Sequence, residues 1–345
     1  MRSTGFAAFA AFAVASVVLV ACTGRDRPAH GEASSLIIIA ADSLWAAIEP
    51  ELTAALEPRI FTVRDEATFD VTHISPFDPN WTELRRFRQV LPIGLAGDGW
   101  VADALERGGQ PAEVPGIVET QDVWANRQGV TAVVLPQDDP VGALRVILPD
   151  LGTLLDNRFR QYALSRMFVT RADTSLRDSL ENSSGFSLLL PNVYDRTDMG
   201  STQVFRHHAE LGGVIMRAIT VTWREGTGAE PTRDMAVAWR DSVAGYAFDM
   251  PQSVDTTRIE ERPLQQDAGG LEVQGVWSST DPSWPAAGPF TDRIVVCPAQ
   301  NRTYFIDAWL FAPGKKKYEY MIQLQTILDS FGCGDETAAP AAAGM

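Results

Sequence analysis

The sequence is poor in lysine, cysteine and histidine, and these shortages argue against whole classes of function. The only lysines of the 345 residues are at 315–317, and the formal net charge is −15. We therefore predict no nucleic-acid partner, because phosphate binding needs a basic face. The four histidines are His30, His73, His207 and His208. The last two are neighbours on a predicted strand, where their side chains point to opposite faces and cannot easily share a metal.

Familiar catalytic motifs are also missing. There is no Gly-x-Ser-x-Gly elbow, phosphate-binding loop, His-Glu-x-x-His helix or Cys-x-x-Cys pair. Acidic pairs such as Asp138-Asp139 lack the alternation of a calcium loop, and we interpret them as solvated surface. We predict no catalytic residue, no metal ligand and no cofactor. Residues distant in sequence can still converge in the fold, which leaves a scattered catalytic site as an alternative.

The most informative feature that is present lies at the N-terminus. An apolar run from Gly5 to Val20 follows Arg2 and leads into Ala21-Cys22. A basic start, a short apolar stretch and small residues before a cleavage point are typical of an export signal. Its helix would reach about 24 Å, which is short of the roughly 30 Å hydrocarbon core. We therefore predict a signal peptide at 1–21 and not a membrane span.

The cysteine after Leu19-Val20-Ala21 resembles the lipobox of bacterial lipoproteins, in which the cysteine is diacylated and becomes the first residue. This resemblance implies lipid attachment at Cys22, with palmitate among the acyl chains, and a location on the periplasmic face of the cell envelope. Thr23 in place of an aspartate favours the outer membrane over the inner one. We predict a tether at 22–35 and a disordered tail at 334–345.

Two thiols remain once Cys22 is acylated. Cys297 ends a predicted strand, and Cys333 follows the predicted last helix. An even pair of cysteines in an oxidising compartment suggests a disulfide. The alternative is two unpaired cysteines, one buried and one in a frayed tail.

The hydrophobic pattern predicts an α+β fold in two domains. Each domain is expected to be an antiparallel sheet packed with helices, because strands follow one another with helices between and after them. We predict an N-terminal α+β domain at 36–172 and a C-terminal α+β sandwich domain at 185–333, separated by a polar turn. The stretch 97–116 is predicted to be a loop, since it contains Gly108-Gly109 and two prolines.

One loop is unusually rich in aromatic residues. Residues 277–290 contain two tryptophans, a phenylalanine, three prolines and a glycine between two predicted strands. Such a loop can build a stacking surface for a sugar, a peptide or a lipid, and Trp277, Trp284 and Phe290 are the candidate binding residues. The alternative is that they fill the core. For the basic run at 315–317, we weigh an exposed turn against a contact with anionic lipid.

Several short motifs carry a family resemblance over residues 36–330. They are Asp42-x-Leu44-Trp45, Phe69-Asp70-Val71, Val123-Trp124-Ala125-x-x-Gln128, Arg240-Asp241-Ser242, Gly275-Val276-Trp277, Gly288-Pro289-Phe290 and Phe311-Ala312-Pro313. In these the chain resembles a family of bacterial lipoproteins known only as a domain of unknown function. Gln274 stands where the resemblance leads us to expect an arginine. The family supplies no catalytic residue that could be assigned to this chain.

The second half also faintly resembles the Mog1 and PsbP-like α/β/α sandwich. The resemblance rests on an opening strand that ends at Pro191 and on a closing helix that ends at Leu328-Asp329-Ser330-Phe331. Such domains mostly bind partners or assist assembly. Likeness of fold alone is a weak argument for function.

These observations favour a lipid-anchored cell-envelope protein that acts as a binding or assembly module on an envelope protein or a small ligand. The alternatives are an extracytoplasmic hydrolase or carbohydrate-processing enzyme, and a small-molecule or lipid carrier. An enzyme requires a pocket with convergent ionisable groups of perturbed pKa. A carrier requires an apolar cavity, and an assembly factor requires a flat apolar patch.

Overall fold

The computed structural model describes residues 27–209, 214–248, 250–264 and 269–334. The predicted signal peptide, Cys22 and all but the first residue of the predicted tail lie outside these residues. The helices are α1 (Asp42–Leu56), α2 (Trp81–Leu84), α3 (Gly99–Gly108), α4 (Pro140–Met167), α5 (Thr174–Ser184), α6 (Arg233–Ala247) and α7 (Tyr318–Asp329).

The strands of the described residues run from β1 to β16. They are β1 (Ser35–Ile39), β2 (Arg59–Ile60), β3 (Glu66–Ala67), β4 (Asp70–Ile74), β5 (Gln89–Leu95), β6 (Gly116–Gln121), β7 (Gly129–Leu135), β8 (Phe186–Ser187), β9 (Asp195–Asp198), β10 (Thr202–Ala209), β11 (Ile215–Glu225), β12 (Gln252–Pro263), β13 (Gly270–Ser279), β14 (Ala287–Cys297), β15 (Arg302–Phe311) and β16 (Gly332–Cys333).

The chain divides into two compact units, and their limits differ from the predicted domain limits. The first unit comprises Met1–Asp42 and Thr72–Pro140, and the second comprises Ser43–Val71 and Val141–Met345. Helices α4 and α5 therefore belong with the second sheet, although the sequence placed α4 in the first domain and a turn at α5. The physical reason is packing, because Met167 of α4 and Leu180 of α5 are buried in the same core as α7.

The first unit contains a five-stranded sheet in the order β4-β1-β5-β7-β6. Strand β5 is parallel to both β1 and β7, and β6 runs antiparallel to β7. The expectation of an antiparallel sheet was therefore wrong for this unit. Its central strands are continuous apolar runs, as in Ile37-Ile38-Ile39, and runs of this kind are typical of parallel strands covered on both faces. Helix α3 covers part of this sheet, in the stretch where the sequence predicted a loop.

The predicted tether is partly folded against the first unit. Pro28 forms a bridge with Asn126, and His30 forms one with Phe87. The backbone N–H of His30 donates to the carbonyl of Arg86 over 3.2 Å. From residue 28 onward the chain is therefore pinned to the unit by backbone hydrogen bonds.

The second unit contains a seven-stranded sheet in the order β12-β13-β14-β15-β11-β10-β9. All of its pairs are antiparallel, so that the α+β class and the antiparallel sheet predicted for the second half are confirmed. Helices α5 and α7 pack on one face, and α6 packs on the other. Side chains alternate between the faces along each strand, as in β15, where Phe305 lies towards α6 and Ile306 towards α7.

A disulfide ties the end of the described chain to this sheet. Cys297 at the end of β14 is bonded to Cys333 in β16, and their Cα atoms are 5.9 Å apart. Strand β16 in turn pairs with β8, where Gly332 lies opposite Ser187. The predicted disulfide is confirmed in the structure.

Candidate functional site

Two of the three aromatic residues proposed for a binding surface lie in the core. The side chains of Trp277 and Phe290 are completely buried and pack with Trp309. Only Trp284 is half-buried, with its ring centroid 5.3 Å from that of Phe311. The connection between β13 and β14 is shorter than the sequence suggested and spans 280–286. For Trp277 and Phe290 the structure therefore shows the alternative, filling of the core.

Phe290 explains why several separate sequence motifs occur together. Its ring lies across the strand from Gly275, where a Cβ atom would be only 2.3 Å from Cζ of Phe290. The Cζ atom of Arg240 is 4.2 Å from the centroid of the same ring. The Arg240, Gly275 and Phe290 motifs thus meet in one stack, where the missing side chain of the glycine makes room for the ring.

A buried group of charges lies beside this stack, between α6 and the sheet. Arg240 Nε donates to Asp307 Oδ1 over 2.9 Å, and Nη2 donates to Gln252 Oε1 over 2.8 Å. Asp292 lies directly opposite Asp307 on the neighbouring strand, and both carboxylates are completely buried. Burial, followed by the charge of Asp307, raises the pKa of Asp292 well above its usual range, against the attraction of Arg240. Asp292 is therefore held in its neutral form over a wider pH range than an exposed aspartate.

A second buried carboxylate lies on the opposite face of the same sheet. Glu272 accepts hydrogen bonds from Arg262 Nε over 2.7 Å and from Arg293 Nε over 2.8 Å. The side-chain amides of Gln274 and Gln325 donate to it as well. A buried charge of this kind is tolerated because every lone-pair direction is occupied by a donor.

An open cleft of about 320 Å³ lies beside Glu272, between the edge of the sheet and α7. Its apolar lining includes Phe61, Met321 and Ile322. Its charged lining consists of Arg160 from α4, and of Glu260 and Arg262 from β12, the edge strand. The polar groups that complete the lining are Gln274, Tyr318 and Gln325.

Arg160 and Tyr318 of the cleft are bonded to each other and to Asp156. Arg160 Nε is 2.7 Å from Asp156 Oδ2, and Arg160 Nη2 donates to the Tyr318 hydroxyl over 3.1 Å. The Tyr318 hydroxyl donates to Asp156 in a very short hydrogen bond. Burial, together with this bond to Asp156, raises the pKa of Tyr318, so that the phenol keeps its proton. The raised pKa of Tyr318 makes proton transfer by this phenol unfavourable at neutral pH. The arrangement is therefore suited to hold a ligand by contact.

The other residues noted in the sequence have structural partners. Lys316 Nζ lies 2.6 Å from Asp70 Oδ1, and Lys317 Nζ lies 2.7 Å from Glu66 Oε1, so that these two lysines form ion pairs. The Nδ1 atom of His207 is 3.2 Å from the carbonyl oxygen of Val193. Burial, followed by the charge of Arg217, lowers the pKa of His207.

Neither a metal-binding cluster nor a membrane-spanning helix is present in the described part of the chain. No cluster of three or more histidine, cysteine or acidic residues there could hold a metal ion. Among the same residues, no helix is long and apolar enough to cross a membrane.

Sequence reasoning missed both buried carboxylate groups and the cleft. Asp307 had a recognisable signal, because it interrupts the apolar strand Ile306-Asp307-Ala308-Trp309 at a position that faces α6. The cleft had no such signal, since Phe61, Arg160 and Met321 lie far apart in the sequence and meet only in the fold.

Comparison with known families matches the second half of the chain. Residues 173–330 match the model of a family described as a domain of unknown function (DUF4837). The match is shorter than the resemblance traced through residues 36–330, and it contains the Arg240, Gly275 and Phe290 motifs. No curated protein sequence matches the chain.

Two solved structures show a faint likeness to the fold. The Ran-binding protein Mog1p of Saccharomyces cerevisiae has a TM-score of 0.31 and 10% identity, covering 45% of this chain and 93% of Mog1p. The cyanobacterial PsbP protein CyanoP of Synechocystis sp. PCC 6803 has a TM-score of 0.31 and 12% identity, covering 47% of this chain and 91% of CyanoP. Residues 173–330 are thus similar to a family without an assigned function, and the chain has a faint Mog1 and PsbP-like resemblance.

Proposed function

We propose that this chain is a lipid-anchored cell-envelope protein that works as a binding module through the cleft beside α7. The observation that carries the proposal is the composition of the cleft. An apolar wall at Phe61, Met321 and Ile322 faces the guanidinium of Arg262, whose side chain is 60% exposed. Pockets that bind ligands combine apolar walls with a few placed polar groups in this way.

The chemistry of the cleft fits a ligand with one apolar group and one acidic or carbonyl oxygen group. Arg262 Nε and Nη2 lie 2.7 and 2.5 Å from Glu272 Oε1. The apolar group of the ligand would pack against Met321 and Ile322, while its oxygen atoms accept hydrogen bonds from the outer N–H groups of this guanidinium that do not face Glu272. An acidic peptide segment or a small amphipathic acid has this combination. A hydrolase or carbohydrate-processing enzyme, and a small-molecule or lipid carrier, are the competing functions.

The anchor is tested at Cys22. Cys22→Ser removes the thiol that accepts the lipid, so that we expect an uncleaved precursor without palmitate label. Equal label in the variant and the wild-type protein contradicts lipid attachment at this residue.

The cleft is tested with a photo-crosslinking phenylalanine analogue at Phe61, in the full chain on native membranes. We expect a discrete adduct that Arg262→Gln removes, because this change takes away the guanidinium but leaves Glu272 bonded to Arg293 and both amides. The matched control carries the analogue at Val146, which is 78% exposed in the same unit. An identical adduct from Val146, or an adduct unchanged by Arg262→Gln, contradicts binding in the cleft. Turnover of an adduct-forming ligand supports the enzyme instead.

A further inference from the structure

The first unit carries a concentration of arginine at the point where the chain enters it. Three short stretches, 27–30, 85–88 and 126–129, form one continuous set of backbone hydrogen bonds. The N–H of Asn126 donates to the carbonyl of Arg27 over 3.0 Å, and the N–H of Arg88 donates to the carbonyl of His30 over 2.8 Å. These stretches contain five arginines, which are Arg27, Arg85, Arg86, Arg88 and Arg127.

This arginine surface is held in place by a buried amide. Gln128 is 1% exposed, and its Nε2 donates to the carbonyls of Arg85 and Phe87 over 2.6 and 2.7 Å. Its Oε1 accepts from the N–H of Trp124 over 2.9 Å. The loop before Gln128 and the segment that follows α2 are thereby locked together, and the arginines have a fixed backbone.

Two of the arginines are presented to solvent. Arg27 and Arg127 are exposed, while Arg85 and Arg88 are half-buried and Arg86 pairs with Glu83 over 3.3 Å. Arg127 has a φ of 63°, a left-handed backbone conformation that residues other than glycine rarely adopt. Its N–H donates to Asp122 Oδ1 over 2.5 Å, which stabilises this turn. Arg88 Nε is buried without a hydrogen-bond partner among the described residues.

We propose that this arginine surface rests on the anionic phospholipid headgroups of the membrane that holds Cys22. This rests on the proposed anchor, because only five residue steps separate Cys22 from Arg27 and can span at most about 18 Å. An anchor of this length holds residues 27–30, which are hydrogen-bonded to the first unit, close to the headgroups. The chain as a whole has a net charge of −15, which anionic lipid repels. A local group of arginines is attracted to anionic lipid in spite of this net charge.

The test uses the chain from Cys22 to Met345 without its acyl groups, so that it does not depend on lipidation. Binding to vesicles of phosphatidylglycerol and phosphatidylcholine is compared with binding to phosphatidylcholine alone. We expect binding only to the anionic vesicles, and a loss of binding at high salt. In the variant Arg27→Gln with Arg127→Asn, partitioning should fall about thirty-fold, since each arginine near an anionic surface contributes about a five-fold factor. Asparagine is chosen because it tolerates the left-handed φ at 127.

The matched control removes two arginines of the second unit whose side chains are 42% and 52% exposed, Arg177→Gln with Arg233→Gln, which changes the net charge equally. It should bind anionic vesicles as the wild-type chain does. Equal loss in both double variants, or equal binding to neutral and anionic vesicles, overturns the proposal.

A second measurement applies if the free chain binds too weakly to detect. The chain is then coupled through the Cys22 thiol to a maleimide lipid, and amide exchange is followed at 85–88 and 122–128. We expect slower exchange of these amides on anionic than on neutral vesicles. Equal exchange on both overturns the proposal. A failure of Cys22 acylation in cells, with anionic binding intact in vitro, would refute the anchor and the contact with the membrane that holds it, but not the affinity of the arginine surface for anionic headgroups.

Discussion

At the scale of single residues, the buried pair of aspartates makes the most direct prediction. Asp292 faces Asp307, Arg240 and the charge of Asp241 in a site without solvent, and its pKa is raised by burial first and by Asp307 second. The pKa of this aspartate is higher in the folded state than in the unfolded state, so its protonated form contributes to the free energy of unfolding. This contribution is complete below the unfolded pKa of about 3.9. That stability is lost as the pH rises towards the folded pKa.

The change Asp292→Asn should therefore raise the melting temperature at neutral pH. The amide cannot ionise, and its N–H can donate to Asp307 Oδ2, which has no hydrogen-bond partner among the described residues. The decline of stability with rising pH above about pH 4 should also become smaller. Thermal unfolding followed by circular dichroism from pH 4 to pH 8 measures both effects.

The control is Asp307→Asn, which should have the opposite effect at neutral pH. Asp307 accepts the hydrogen bond from Arg240 Nε, so the change leaves a buried guanidinium without its charged partner. Loss of one partner of a buried ion pair costs about 3–5 kcal/mol. If both variants lower the melting temperature equally, Asp292 is not the neutral member of the pair.

The aromatic residues give a second prediction at this scale. Trp277 is completely buried, so Trp277→Ala should lower the free energy of unfolding by about 3–5 kcal/mol. Trp284 is half-buried, and Trp284→Ala should cost about half as much. Urea unfolding of the two variants measures this difference, and equal losses would contradict the burial of only one of them.

At the scale of helices and strands, much of the pattern could be read from the sequence. Successive strand patterns with turns between them predict the antiparallel second sheet. Its central strands β14 and β15 are buried on both faces, because helices cover both faces of the sheet. Helix α5 was missed because its polar end, Asn182-Ser183-Ser184, looked like a turn. Its helical signals were present, since Asp173 accepts the hydrogen bond of a helix cap from Leu176, and Gly185 ends the helix at a φ of 78°.

The disulfide makes a prediction at the same scale. It closes a separation of 36 residues between Cys297 and Cys333 and holds β16, a two-residue strand, against β8. The variant Cys297→Ser with Cys333→Ser should lose about 3–4 kcal/mol of stability, mainly because the unfolded chain gains freedom. Urea unfolding with and without a reducing agent tests it. On reduction, the urea midpoint of the wild-type protein should approach that of the variant. A wild-type midpoint that does not change on reduction would show that the disulfide does not stabilise the fold.

At the scale of the whole molecule, the division of the chain was harder to predict than its elements. Apolar runs show where strands and helices form, but not which sheet a helix will cover, because that depends on contacts between residues far apart in sequence. The polar stretch Asn182-Ser183-Ser184-Gly185 was interpreted as the domain boundary, and α4, which precedes it, was therefore assigned to the first domain. In the fold, the side chain of Gln323 on α7 donates to the carbonyl of Ala163 on α4 over 3.2 Å, and Arg166 of α4 pairs with Glu319 over 2.7 Å.

The last prediction tests this division with two fragments. Residues 43–71 joined by a flexible Gly/Ser linker to residues 141–334 reproduce the second unit with α4 and α5, and residues 185–334 begin after both helices. Removing α4 and α5 uncovers the core around Leu324 and Ile327, where the buried Met167 and Leu180 are packed. A large exposed apolar face is unfavourable in water, so we expect the longer fragment to melt cooperatively and the shorter one to melt broadly or aggregate. Calorimetry on both fragments measures this, and a cooperative transition at the same temperature for residues 185–334 would restore the boundary expected from the sequence.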